Sequence, residues 1–151
     1  MILLDTNVLV AAVNADADTH GVCRAVVDAA ITRRLPGVLV PQVLLEAYAV
    51  LTDRRRVKTP LPPVQAWGAI DTLAHSMTVA YPDRRVFDEL ETIIRSGRPT
   101  SQDIFDAFIV AQMLAAGIGA VCTLDTKGFS GYQGVSVEEP GATLGRFGLS
   151  A

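Results

Sequence analysis

Ile2-Leu3-Leu4-Asp5-Thr6-Asn7-Val8-Leu9-Val10-Ala11-Ala12-Val13 opens on three consecutive apolar residues, meets a single acid, and continues in apolar, helix-compatible sequence. A short unbroken apolar run is what a strand buried on both faces produces, and such strands belong to parallel sheets covered by helices. The stretch therefore reads as strand, carboxylate, helix, with the helical part over 8–13. Gly37-Val38-Leu39-Val40 gives a second strand, and Pro41 then stands at the first position of a helix running to about residue 53. Ala120-Val121-Cys122-Thr123-Leu124 gives another strand, ending at Asp125.

Between these segments Thr19 is expected to cap a helix through about Arg33. Pro60, Pro62 and Pro63 mark a break, and helical sequence follows over 64–76, with a short strand over 77–79 and another helix over 83–95 closed by Gly97-Arg98-Pro99. A helix from Ser101 to about Ala116, closed by Gly117, leads into the strand before Asp125, and 135–137 reads as the last strand. Parallel neighbours need long crossover connections, so strands alternating with helices predict an α/β fold with a central, mainly parallel sheet. With 151 residues and neither repeat nor linker, a single domain over 1–151 is expected.

Half the residues are hydrophobic and 19% are charged, which argues against disorder. A net charge of -3 gives no general attraction to nucleic acid, so phosphate would have to be met by local basic patches or bound cations. Asp5 interrupts the opening apolar run and the first basic residue is Arg24, so that run reads as core and not as a secretory leader. No membrane span is expected, and Cys23 and Cys122 read as buried thiols, which makes the cytoplasm the default location. His20 and His75 lie in no metal-ligand spacing, and the phosphate-loop and dinucleotide motifs are absent.

Ligands of open parallel sheets bind beyond the carboxyl ends of the strands, where Asp5 and Asp125 are expected. Each of them alone would serve equally well as a helix cap. Glu46 is the only charged side chain in Val43-Leu44-Leu45-Glu46-Ala47-Tyr48-Ala49-Val50-Leu51, a helix so apolar that it is expected to be largely buried. Asp103 and Asp106 share a helix face; Thr100-x-x-Asp103 matches a capping box, whereas Asp106 heads the apolar stripe through Ile109, Val110 and Met113 and points to a pocket. Converging carboxylates repel one another unless a cation sits among them, and hard oxygen donors suit Mg²⁺ or Mn²⁺. The chemistry then available is phosphodiester hydrolysis by metal-activated water.

Leu3-Leu4-Asp5-Thr6-Asn7-Val8-Leu9, Pro41-x-x-Leu44-Leu45-Glu46, Asp106-Ala107-Phe108-Ile109-Val110-Ala111, Cys122-Thr123-Leu124-Asp125-x-x-x-Phe129 and the tail through Val135 together resemble the PIN domain, specifically the VapC-type toxin ribonucleases of bacterial toxin–antitoxin pairs. The resemblance covers nearly the whole chain. It implies a three-layer α/β/α sandwich, a Mg²⁺- or Mn²⁺-dependent endoribonuclease with one or two ions per site, a homodimer, and inhibition by a cognate VapB-type antitoxin. It also implies that Asp5, Glu46, Asp106 and Asp125 are metal ligands and catalytic acids, with Thr6, Asn7 and Thr123 as polar neighbours of the metal and Asp103 supporting them. Where relatives often carry an acid before the final Phe, this chain has Gly128, so the fourth acidic contribution comes from Asp125 or is weaker.

Arg54-Arg55-Arg56 with Lys58 is the densest basic run and the best candidate for contact with RNA or antitoxin; Arg33-Arg34, Arg84-Arg85 and Arg95 with Arg98 follow. Two other enzyme-like readings place an aspartate at a strand end. A haloacid-dehalogenase-type phosphatase would use Asp5 as nucleophile but wants a second acid where Asn7 stands, and a receiver domain wants a late lysine, for which only Lys127 is available. A PIN-like module that binds RNA or protein without catalysis is the remaining alternative.

Overall fold

The computed structural model describes residues 1–97 and 99–151. Its elements run β1 (Ile2–Leu4), α1 (Thr6–Val13), α2 (His20–Ile31), β2 (Gly37–Leu39), α3 (Pro41–Leu51), α4 (Pro63–Ser76), β3 (Thr78–Val79), α5 (Arg85–Gly97), α6 (Asp103–Ala115), β4 (Ala120–Cys122), α7 (Thr126–Phe129), β5 (Ser136–Glu138) and α8 (Pro140–Arg146). The strands form one sheet in the order β3-β2-β1-β4-β5, and every pairing is parallel. The fold is therefore the expected α/β architecture, a five-stranded parallel sheet flanked by helices.

β1 and β4 are buried at every position, as their unbroken apolar runs require of strands at the centre of a covered sheet. The chain leaves β1 toward β2 on one side, whereas β4 lies on the other, so the strand order reverses between β1 and β4. A crevice opens at such a reversal, beyond the carboxyl ends of the strands. Helix α1 packs on both α2 and α3, and α5 packs on α6. Gly37 is required where α2 presses on β2, because a Cβ there would lie 2.5 Å from that of Ala30. Gly117 closes α6 with a φ of +68°, the left-handed conformation that ends helices most cheaply with glycine.

Several expectations need correction. Thr19 stands at the N-cap of α2, but its side chain makes no capping bond. The capping box at Thr100 does not form: Ser101 is left-handed at φ +50°, so α6 starts later, Gln102 takes the cap position and Asp103 becomes the first helical residue. Helix α3 is not buried all round, since Leu45 is 61% exposed on its outer side. The last strand pairs over Ser136–Glu138, and α7 and α8 were not anticipated because each is too short to show helical periodicity. Arg98 lies outside the described residues.

Candidate functional site

Asp5 ends β1 and caps α1, its Oδ1 accepting from the Thr6 amide at 2.7 Å. Its Oδ2 accepts from the Thr123 hydroxyl at 2.7 Å and from Asn7 Nδ2 at 2.8 Å. Asn7 Nδ2 also reaches Thr123 Oγ1 at 2.9 Å, and Asn7 Oδ1 accepts from the Leu124 amide at 3.0 Å, so one asparagine ties α1 to the segment leaving β4. Asp5 is only 6% exposed. Burial is the main reason its pKa is pushed up to about 6, the hydrogen bonds from Thr123 and Thr6 opposing it and the charges of Glu46 and Asp106 adding to it.

Glu46 sits in the second turn of α3, half-buried, with Oε2 accepting from Thr6 Oγ1 at 3.0 Å and Oε1 from Gln42 Nε2 at 2.7 Å. Asp106 lies in the first turn of α6 ahead of the buried Ile109, Val110 and Met113. Its carboxyl is held above the usual range by burial and by the charges of Glu46, Asp103 and Asp125. Asp125 caps α7 through the Lys127 amide at 3.2 Å and is exposed, while its own amide donates to Thr123 Oγ1 at 3.0 Å.

Asp5, Thr6, Asn7, Glu46, Asp103, Asp106 and Asp125 all line a single cleft of about 790 Å³. Thr123 lies beneath it, fully buried. A Cβ on Gly128 would stand 3.6 Å from Asp106 Oδ2 and 3.7 Å from Asp125 Oδ2, so this glycine occupies the floor between those two acids. Of the basic run only Arg56 lines the cleft. Arg55, in the turn over 54–56, is held in an ion pair with Asp53 at 3.0 Å. Arg85 and Arg95 are likewise spent on Asp83 and Glu91.

Sequence reasoning missed Gln42, Gln102, Phe105 and Gln112. Gln42 and Gln112 stand one helical turn from Glu46 and Phe108 respectively, and that spacing was the one signal available for them. Phe105 lines the cleft and is 51% exposed.

None of Asp5, Glu46, Asp106 and Asp125 has a basic partner within 4 Å among the described residues. Their hydrogen-bond donors are neutral, so the negative charge stays uncancelled. Among the described residues no three acidic, histidine or cysteine side chains already converge on one point; the acids are spread along the cleft. An all-oxygen donor set with one buried acid of raised pKa fits a hard divalent cation, which would relieve that repulsion.

The family model for the PIN domain matches residues 2–134. Among solved structures the chain is similar to the Mycobacterium tuberculosis toxin VapC20, described as cleaving the sarcin-ricin loop, at 20% identity and a TM-score of 0.63 over 87% of this chain and 95% of that one. It is also similar to VapBC-1 from nontypeable Haemophilus influenzae, at 18% identity and a TM-score of 0.62 over 93% of this chain and 98% of that one. No curated protein matches.

Proposed function

We propose, from the premise that the chain belongs to the PIN-domain family, that it is a divalent-metal-dependent endoribonuclease acting as the toxin of a VapBC-type pair. The observation that carries the reading is that Asp5, Glu46, Asp106 and Asp125, from four separate parts of the chain, line one cleft with no basic side chain among the described residues paired to them.

Asp5 and Asp106 are assigned as the primary ligands of Mg²⁺ or Mn²⁺, with Glu46 and Asp125 completing the set. When bound, such an ion supplies Lewis-acid chemistry: it activates water and offsets charge on the phosphoryl group. The chain's own residues prepare for it. Thr6, Asn7 and Thr123 fix both oxygens of Asp5, so that acid cannot swing away from the cleft. Arg56 offers the rim a positive charge for backbone phosphate, and the exposed ring of Phe105 offers a face on which a base can stack.

Asp5 as a phosphatase nucleophile is disfavoured by its surroundings. The position two residues on, where such a phosphatase wants a second acid, is Asn7, which donates to Asp5 itself. The antitoxin partner is proposed from the likeness to VapBC-1. Exposed Trp67, Val64, Tyr81 and Phe87 supply apolar surface for an antitoxin or a second copy of the chain. A single domain and a cytoplasmic location complete the proposal; among the described residues no helix is long and apolar enough to cross a membrane.

The test is cleavage of a structured RNA by the purified chain. Cleavage should require Mg²⁺ or Mn²⁺, stop with chelator and fail in Asp5→Asn and Asp106→Asn. Undiminished cleavage by both variants would overturn the site assignment, metal binding without cleavage would point to a binding module, and phosphate trapped on Asp5 would favour the phosphatase.

A further inference from the structure

Gln112 is polar, on α6, and 3% exposed, in a helix whose other buried residues are all apolar. Its Nε2 donates to the Gln42 side-chain oxygen at 2.9 Å and to the Phe108 carbonyl at 3.3 Å. Gln42, on α3, in turn uses its Nε2 to donate to Glu46 Oε1 at 2.7 Å and to the Phe105 carbonyl at 3.1 Å. The Phe105 carbonyl immediately precedes Asp106. Two amides thus run in series from the interior of α6 to a carboxylate of the cleft.

The direction of this chain is fixed by its chemistry. Turning the Gln42 amide over would set its oxygen against the Glu46 carboxylate and the Phe105 carbonyl, and its nitrogen against the Gln112 nitrogen. Turning Gln112 over would set oxygen against oxygen at both its contacts. Gln112 is too buried for water to repair such a mismatch, and no buried side-chain polar atom is left without a partner among the described residues. The Phe108 carbonyl therefore orients Gln112, Gln112 orients Gln42, and Gln42 presents an N–H to Glu46. Because both donors to Glu46, Gln42 and Thr6, are neutral, the carboxylate is aimed without its charge being cancelled.

We propose that Gln42 and Gln112 are positioning residues that hold the Glu46 carboxylate in the geometry in which it meets a divalent cation. Leu, Met or Val at position 112 would pack in the same apolar helix, but none could orient Gln42. The inference rests on the proposed metal-binding reading of the cleft and adds two residues to its construction.

The experiment is Mn²⁺ titration of the metal-free protein by calorimetry, comparing the natural chain with Gln112→Met, Gln42→Met, Glu46→Gln and the double variants. Loss of an outer partner of a ligand typically weakens metal binding by about 10–100-fold, so Gln112→Met and Gln42→Met should each weaken it by about tenfold. In the Glu46→Gln background the same substitutions should change affinity by less than about twofold, because the group they act through is gone. Equal losses in both backgrounds, or no loss in the natural one, would overturn the relay, since general loosening of the fold acts regardless of Glu46. Should Gln112→Met fail to fold, half-buried Gln42 carries the same test. Asp5→Asn and Asp106→Asn separate the two claims: if they abolish Mn²⁺ binding and the glutamine variants do not, only the relay fails. If they leave binding unchanged, or the natural chain binds no Mn²⁺, the site reading fails and takes the relay with it.

Discussion

Asp5 and Asp125 follow adjacent parallel strands, cap the helices that come next, and share Thr123, whose hydroxyl donates to Asp5 and accepts from the Asp125 amide. Their surroundings nevertheless differ. Asp5 is sealed at 6% exposure, with its pKa pushed up to about 6, while Asp125 stands three residues beyond its strand in solvent. A strand-end position does not by itself rank the two acids. Under the proposed function, burial that makes the charge costly, which a structural cap has no need to tolerate, puts Asp5 ahead of Asp125.

Substitution should separate the two. Asp5→Asn is expected to reduce metal-dependent RNA cleavage by more than the roughly 100-fold that loss of an outer partner costs. Asp125→Asn should cost about tenfold or less, because its exposed carboxylate leaves room for water to replace it. Equal losses in the RNA assay would mean that burial does not rank the acids.

The pH dependence of stability should separate the two acids as well. The pKa of Asp5 is raised in the fold, so ionising it costs stability as pH climbs from its ordinary value of 3.8 through about 6. The cost is absent below about pH 4 and complete above the folded pKa. The metal-free natural chain should accordingly lose up to about 3 kcal/mol between about pH 4 and pH 7, a pH dependence that Asp5→Asn, which cannot ionise, should not show. Asp125→Asn should change stability by under about 0.5 kcal/mol at either pH, because Asn caps as well as Asp. Thermal melts across pH measure both.

Thr123→Val breaks the link between the two acids. It takes one donor from Asp5 and one acceptor from Asn7 and the Asp125 amide, at a cost of about 1–3 kcal/mol. The Asp5 pKa should rise further, moving the acid limit of Mn²⁺ binding to higher pH. Gly128→Ala is the smallest perturbation: its Cβ would make ordinary contacts with Asp106 and Asp125, and cleavage should stay within about twofold. A larger loss would show that the floor between the acids must remain open.

The central strands were legible in the sequence because unbroken apolar runs leave little choice about burial, and so was the place of Asp5 and Asp125 just beyond two of them, beside the cleft that Glu46 also lines. Asp106 was legible for the same reason, heading a stripe that is buried at Ile109, Val110 and Met113. Asp103 was misread as part of a capping box because nothing local shows that Ser101 adopts a left-handed backbone. Gln42 and Gln112 were invisible for a different reason. They are 70 residues apart, and only the approach of the start of α3 to the later turns of α6 joins them. The basic run misled in a third way, since its density says nothing about direction, and only Arg56 turns toward the cleft.

The most direct measurement is the titration of the Asp5 carboxyl carbon by NMR, with and without saturating Mg²⁺. Without metal the midpoint should lie at about 6, where burial and the neighbouring acids hold it. With Mg²⁺ it should fall below about 4, because a cation bound at the carboxylate reverses the cost of ionising it. A midpoint that Mg²⁺ leaves unchanged would contradict the assignment of Asp5 as a metal ligand.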